Sequence, residues 1–176
     1  MTDQDVQQTD QEAHLSHSQV QEFLQCPYRY HLNRREKVPP DFVPSALLFG
    51  GAIHEALALY HQGRLEGKEV SVEELMAAFR ERWEEHEERI EYRWGEHEAA
   101  LLEMAEKMLA AYVREPRNGG QVVAIEEPFR LELSDALPPV HGRLDLVEKD
   151  SNGALILTDF KTSSGSKEPD ADQLVL

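Results

Sequence analysis

The turn Asp150-Ser151-Asn152-Gly153 is the feature that most constrains how this chain folds. It separates two apolar runs, Val140 to Glu148 and Ala154 to Asp159, both with strand character. Asn-Gly tolerates the positive φ angles that a tight turn requires, so the runs become the arms of one antiparallel hairpin. Gln121 to Leu133, with Val122, Val123, Ile125, Phe129, Leu131 and Leu133, adds a third strand whose alternation is clearest from Phe129 onward. Pro116 and Asn118-Gly119-Gly120 mark the break from a helical texture that fills the chain before them. The last stretch, Pro169 to Leu176, reads as the start of one more helix. Helices, then antiparallel strands, then a helix define an α+β domain.

The helical part divides at its own punctuation. Ser18 to Gln21 has capping-box spacing and opens a short helix through Leu24, and Pro27 can begin a second over Tyr28 to Asn33. Val38-Pro39-Pro40-Asp41 is a loop. From Ser45 to Gln62 the period is helical, with Phe49, Ile53, Ala56, Leu57 and Tyr60 on one face, and Gly63 and Gly67 end it. Gly51, His54, Ala58 and His61 share another face, where small neighbours let the helix lie close to the strands; His61 reads as surface. Ser71 to Glu74 is a second capping box, for a helix running towards Trp94. A further helix over Glu96 to Arg114 has Leu101, Met104, Ala105, Met108 and Tyr112 as its buried stripe.

Length and composition set the limits. The 176 residues, 40% hydrophobic and 30% charged, fit one domain able to bury a core without staples. No apolar run approaches the roughly 18 residues that span a bilayer, and the first residues lack the pattern of a signal peptide, so a cytoplasmic address and no membrane partner are expected. Residues 1–14 read as a disordered acidic arm and 15–176 as the folded domain. One cysteine, Cys26, excludes an intrachain disulfide framework and any all-cysteine metal site within this chain. The formal net charge of −16 opposes tight autonomous binding to phosphates, although a local metal site needs acid.

The chemistry concentrates between Gly142-Arg143-Leu144-Asp145 and Asp159-Phe160-Lys161. Strand alternation puts Asp159 and Lys161 on one side, and the hairpin brings Asp145 near Asp159. Converging carboxylates repel unless a cation lies between them, and Mg2+ or Mn2+ suits such oxygen ligands. Lys161 then orients a water or stabilises charge growing on a phosphate. Taken alone, Asp-x-Lys is also compatible with two turn-bordering aspartates and a solvated lysine. Glu126 has two readings, an additional acidic ligand or a solvent-facing strand residue. Arg29, Tyr30, His31, Arg34 and Arg35 form the most basic stretch, suited to gripping phosphates and stacking on bases, or simply a solvated helix end.

The ordered set of segments resembles the PD-(D/E)XK nuclease superfamily, specifically its RecB-like exonuclease branch. The segments are Ser18 through Cys26-Pro27-Tyr28-Arg29-Tyr30, Gly50-Gly51-Ala52-Ile53-His54, Gly142-Arg143-Leu144-Asp145, Asp159-Phe160-Lys161-Thr162, and Gln173 at the head of a Gln-x-x-x-Tyr pattern cut at Leu176. The resemblance implies a restriction-endonuclease-like core, C-terminally incomplete, in which helices precede an antiparallel-led mixed sheet and a final helix. It implies a metal-dependent deoxyribonuclease, exonucleolytic, acting in DNA repair or recombination beside a helicase or another recombination protein. Asp145, Asp159, His54 and the backbone carbonyl of Phe160 would bind Mg2+ or Mn2+, Lys161 would be catalytic, and Gln173 would support the site. Some relatives hold an iron–sulfur cluster through one early and three late cysteines; Cys26 matches the first, and the late three are not in this chain, so a packed cysteine is expected. The cut pattern and the net charge also suit an alternative, a weak or inactive nuclease-fold module that binds DNA or a protein.

Overall fold

A computed structural model describes residues 13–85, 89–115 and 120–162. The chain divides into two compact units, and strands β3 (Gln121–Leu131) and β4 (Val140–Lys149) contribute to both.

Among the described residues, the first unit comprises 13–39 and 128–143. Its helix α1 (His17–Gln25) is capped by Ser16, whose hydroxyl accepts from the Gln19 backbone, so the cap falls two residues before the expected Ser18. Helix α2 (Pro27–Tyr30) begins on Pro27 and runs into a π-helical turn, His31–Arg35. The Cys26 thiol accepts from the Arg29 backbone at 3.4 Å and caps α2. Leu15 pairs in parallel with Val140, and the rings of His14 and His141 stack at 4.7 Å. Gly142 is required where it stands, since a Cβ there would run into the ring of Phe129 on the neighbouring strand.

The second unit, which among the described residues comprises 40–85, 89–115, 120–127 and 144–162, holds the hydrophobic core. Helix α3 (Ser45–Glu66) supplies Leu48, Phe49, Ala52, Ile53, Ala56 and Leu57. Helix α4 (Val72–Glu84) adds Leu75, Met76, Phe79 and Trp83, and α5 (Glu98–Arg114) adds Leu101, Ala105 and Leu109. Each large side chain buried this way stabilises the fold by about 1.5–3 kcal/mol. Val122, Leu146 and Phe160 close the core from the strand side.

Several expectations shift here. Helix α3 continues to Glu66 and ends where Gly67 takes the left-handed conformation at φ 70. Gly63 stays inside the helix because its missing side chain makes room for Val70. The Ser71–Glu74 capping box forms with both of its bonds, yet α4 stops at Glu84, short of Trp94, which lies fully exposed. Short strands β1 (Val43–Pro44) and β2 (Ile90–Glu91) pair in parallel across that region. On α5 the buried line is Leu101, Ala105 and Leu109, with Tyr112 half-buried, while Met104 and Met108 face out. Its apolar stripe is wider than its partners can cover, and they decide which edge is buried.

The main sheet has the order β3-β4-β5, with β5 spanning Leu155–Thr158. Strands β4 and β5 are antiparallel, Lys149 opposite Leu155 and Leu146 opposite Thr158. At the connection only Gly153 has positive φ, at 88; the Asp150 carboxylate closes the turn instead, accepting from the backbones of Asn152 and Ala154 at 2.8 Å each. The acidic arm and the Pro169–Leu176 helix fall almost wholly outside the described residues, which begin at residue 13 and end at residue 162.

Candidate metal centre

Three elements of the second unit bring an imidazole and two carboxylates together. Ligand atoms of His54 on α3, Glu126 on β3 and Asp145 on β4 all lie within 4.8 Å of one another, and each residue is half-buried. Alternation along β4 puts Asp145 on the face opposite buried Leu146. Glu126 gains its aim from an uncommon backbone, φ 50, in the middle of a strand. A bulky residue in the left-handed region costs about 1–2 kcal/mol, and such strain persists where its surroundings impose it, often at functional sites.

Phe160, just past the end of β5, ties this cluster together. Its N–H donates to Asp145 Oδ2 at 2.7 Å, and its carbonyl accepts from His54 Nε2 at 2.9 Å. With the proton on Nε2, the lone pair of His54 Nδ1 faces Asp145 Oδ2 at 3.6 Å. His54 Nδ1 and the two carboxylates thus converge, an arrangement that a cation placed between them would stabilise further. Two carboxylates beside an imidazole form a donor set that a divalent metal ion accepts, so the residues fit such an ion. A ligating histidine typically donates its other N–H to a carbonyl or carboxylate, which is how Nε2 is used here. The sequence reading gives the Phe160 carbonyl to the ion directly; in this structure that carbonyl orients the imidazole.

Asp159 and Lys161 flank Phe160 without joining the cluster. The β4–β5 ladder stops at Leu146 and Thr158, so Asp159, next in register to face Asp145, lies beyond the strand. Its exposed carboxylate takes the Lys161 ammonium at 3.0 and 2.8 Å. The two side chains do meet on one side, as their spacing predicts. Gly50, one residue from the expected Gly51, gives α3 its close approach: a Cβ there would lie 3.2 Å from Thr162 Oγ1, while Gly51 has open space. Glu55 is exposed and near Arg82 at 3.8 Å, apart from the site. Gln173 lies outside the described residues.

The basic stretch sits in the first unit, where much of its charge is met locally. Arg34 Nε donates to Glu22 at 2.8 Å, Asn33 donates to the same carboxylate at 2.6 Å, and Arg29 donates to Gln25 at 2.7 Å. The bond from Arg34, then that from Asn33, holds the Glu22 carboxyl below the usual glutamate range. Tyr30 packs edge-on against Phe23, and Arg35 is exposed.

His61 departs most from expectation. Read as surface, it is fully buried, with Nε2 2.7 Å from the Tyr112 hydroxyl and Nδ1 3.0 Å from Arg64 Nη1. The same Arg64 nitrogen donates to buried Glu148 at 2.8 Å, and its other one to the Gly120 carbonyl at 3.2 Å. A signal was present, since His61 lies four residues after Leu57 on the apolar face of the helix, and Glu148 shares a strand face with Leu146 two residues before it.

The sequence matches the family model of the PD-(D/E)XK nuclease superfamily over residues 14–175. The chain belongs to that superfamily, and the mixed helix-and-sheet architecture described above agrees with its restriction-endonuclease-like fold. Membership implies a nuclease, of a kind that typically works with divalent metal ions. No curated protein and no solved structure matches the chain. Among the described residues no helix is long and apolar enough to cross a membrane.

Proposed function

We propose that this chain is a RecB-like nuclease domain, residues 15–176, that hydrolyses DNA phosphodiester bonds exonucleolytically with Mg2+ or Mn2+. The observation that carries the reading is the convergence of His54, Glu126 and Asp145 within a chain that matches the nuclease superfamily almost throughout. His54 Nδ1 and the carboxylates of Glu126 and Asp145 would hold the ion. Asp159, one residue from Phe160, is a further acidic ligand of the same set, with its carboxylate taken up by Lys161 in this structure. A bound divalent ion supplies Lewis-acid polarisation of a phosphate oxygen and acidifies water.

The chain's own groups do the rest. The Phe160 carbonyl fixes the ring of His54, and the Phe160 N–H fixes Asp145. Lys161, 57% exposed, is free to swing from Asp159 to a phosphate oxygen and stabilise the charge that develops there. Gln173 would support the site from the following helix. Arg35, with the exposed parts of Arg29, Tyr30 and Arg34, would meet the nucleic-acid backbone. The reading extends to DNA repair or recombination in the cytoplasm, with a helicase or similar protein presenting the strand; the net charge of −16, unfavourable for independent DNA binding, supports such a partner.

The test is degradation of end-labelled linear duplex and single-stranded DNA with Mn2+ or Mg2+. We expect products released from the ends, full loss with a chelator, and loss on the order of 100-fold or more in Lys161→Ala. Degradation that survives Lys161→Ala unchanged overturns the reading. DNA binding without cleavage would leave an inactive module of the same fold.

A further inference from the structure

His54 and Asp145 are both bonded to the backbone of Phe160, and the ring of Phe160 rests on a buried polar chain that the proposed chemistry does not use. The ring stacks on His61 at 5.9 Å and 19°, meets Tyr112 edge-on at 5.9 Å, and meets His54 edge-on at 5.9 Å. Arg64 has only donors, so His61 Nδ1 accepts from it, and the ring's proton lies on Nε2, which donates to the Tyr112 hydroxyl. Glu148 balances the charge of Arg64. The chain Glu148–Arg64–His61–Tyr112 therefore joins β4, α3 and α5 with the donors of Arg64 and His61 directed at acceptors. Networks of this kind rigidify what they touch.

We infer that this chain is a positioning device for the metal centre: it clamps the ring of Phe160 so that the backbone of Phe160 can hold His54 and Asp145 in place. The inference rests on the reading of His54, Glu126 and Asp145 as ligands. None of its four members reaches the ion, and removing an outer support of this kind from a metal site typically costs 10–100-fold in affinity.

Manganese binding by the metal-free 176-residue chain, measured by calorimetry and by loss of the free Mn2+ paramagnetic resonance signal, tests it, with an unfolding midpoint recorded for each variant. Phe160→Leu keeps both backbone bonds chemically available but removes the clamped ring; its Mn2+ dissociation constant should rise about tenfold. Tyr112→Phe keeps the ring against Phe160 and removes the hydroxyl that accepts from His61; a rise of at least about threefold is expected, with a smaller fall in midpoint than in Leu109→Ala. Leu109→Ala, a core truncation on the same helix, should lower the midpoint and leave the dissociation constant unchanged. Unaltered Mn2+ affinity in both Phe160→Leu and Tyr112→Phe overturns the inference, as does a loss that tracks the midpoint across all three variants. If His54→Ala binds Mn2+ as the parent does, or the parent binds none, the ligand reading itself fails and the inference falls with it.

Discussion

Helix α3 carries two histidines two turns apart, and the structure uses them in opposite ways. His54 is half-buried, its Nδ1 turned to the carboxylate of Asp145 and its Nε2 to a backbone carbonyl. His61 is sealed, with both nitrogens engaged by Arg64 and Tyr112. Around His54 the carboxylates of Glu126 and Asp145 gather with the imidazole; around His61 donors and acceptors are matched. A histidine's chemistry thus follows from what faces its nitrogens, and Phe160, touching both rings, couples the two ends.

The contrast can be broken by experiment, and the largest effect is expected at the His54 end. His54→Ala should lower Mn2+-supported DNA degradation roughly 100-fold or more while leaving the unfolding midpoint nearly unchanged. A midpoint drop comparable to that of a core truncation would show that His54 is structural, like His61.

At the sealed end the expected loss is one of stability. Arg64→Met leaves Glu148 buried without its partner, and breaking a buried pair from one side costs about 3–5 kcal/mol. Urea unfolding measures it directly. A cost below about 1 kcal/mol would place the pair with ordinary surface ion pairs and remove the distinction drawn here.

Glu126 sharpens the comparison because strain and function should trade there. Glu126→Gly relieves the left-handed backbone, which favours the variant in metal-free buffer by up to about 1 kcal/mol and offsets the lost side chain. Activity should fall about tenfold or more. A variant both less stable and fully active would return Glu126 to the solvent-facing reading.

The smallest effect concerns acid. The Ser45 hydroxyl, then the Arg93 backbone, donates to Glu96 and holds its carboxyl below the usual glutamate range. A depressed folded value means stability present above the ordinary value of about 4.3 and lost as the pH falls through the lower folded one. Ser45→Ala should lower stability slightly at neutral pH and make its decline below about pH 4.3 shallower. An unchanged pH slope would show that the hydroxyl contributes nothing to that carboxylate.

Local patterns were legible where neighbours in sequence carry the cause. The Asp150–Gly153 connection, the Ser71–Glu74 capping box and the Phe49, Ile53, Ala56, Leu57 face depend on residues within a turn or two, and each forms. The pairing of β4 with β5 follows from them. Boundaries were less legible: whether α4 reached Trp94 depended on β1 pairing with β2, which no local signal announces. In the site, the strand spacing foresaw that Asp159 and Lys161 would meet, but not that the ladder would stop at Thr158 and leave Asp145 to Glu126 and His54. His61 was misread because its burial depends on Tyr112 and Arg64, the first of them 51 residues away.

By itself, then, the sequence determined the α+β order, the hairpin and the ordered superfamily segments, since each is written in short-range periodicity, turn chemistry or spacing. Only the tertiary structure decided which carboxylate stands beside His54, which histidine is sealed, and that Phe160 joins them. Those outcomes depend on the aim of side chains brought together from distant elements, where a one-residue change in strand end or backbone angle redirects a ligand.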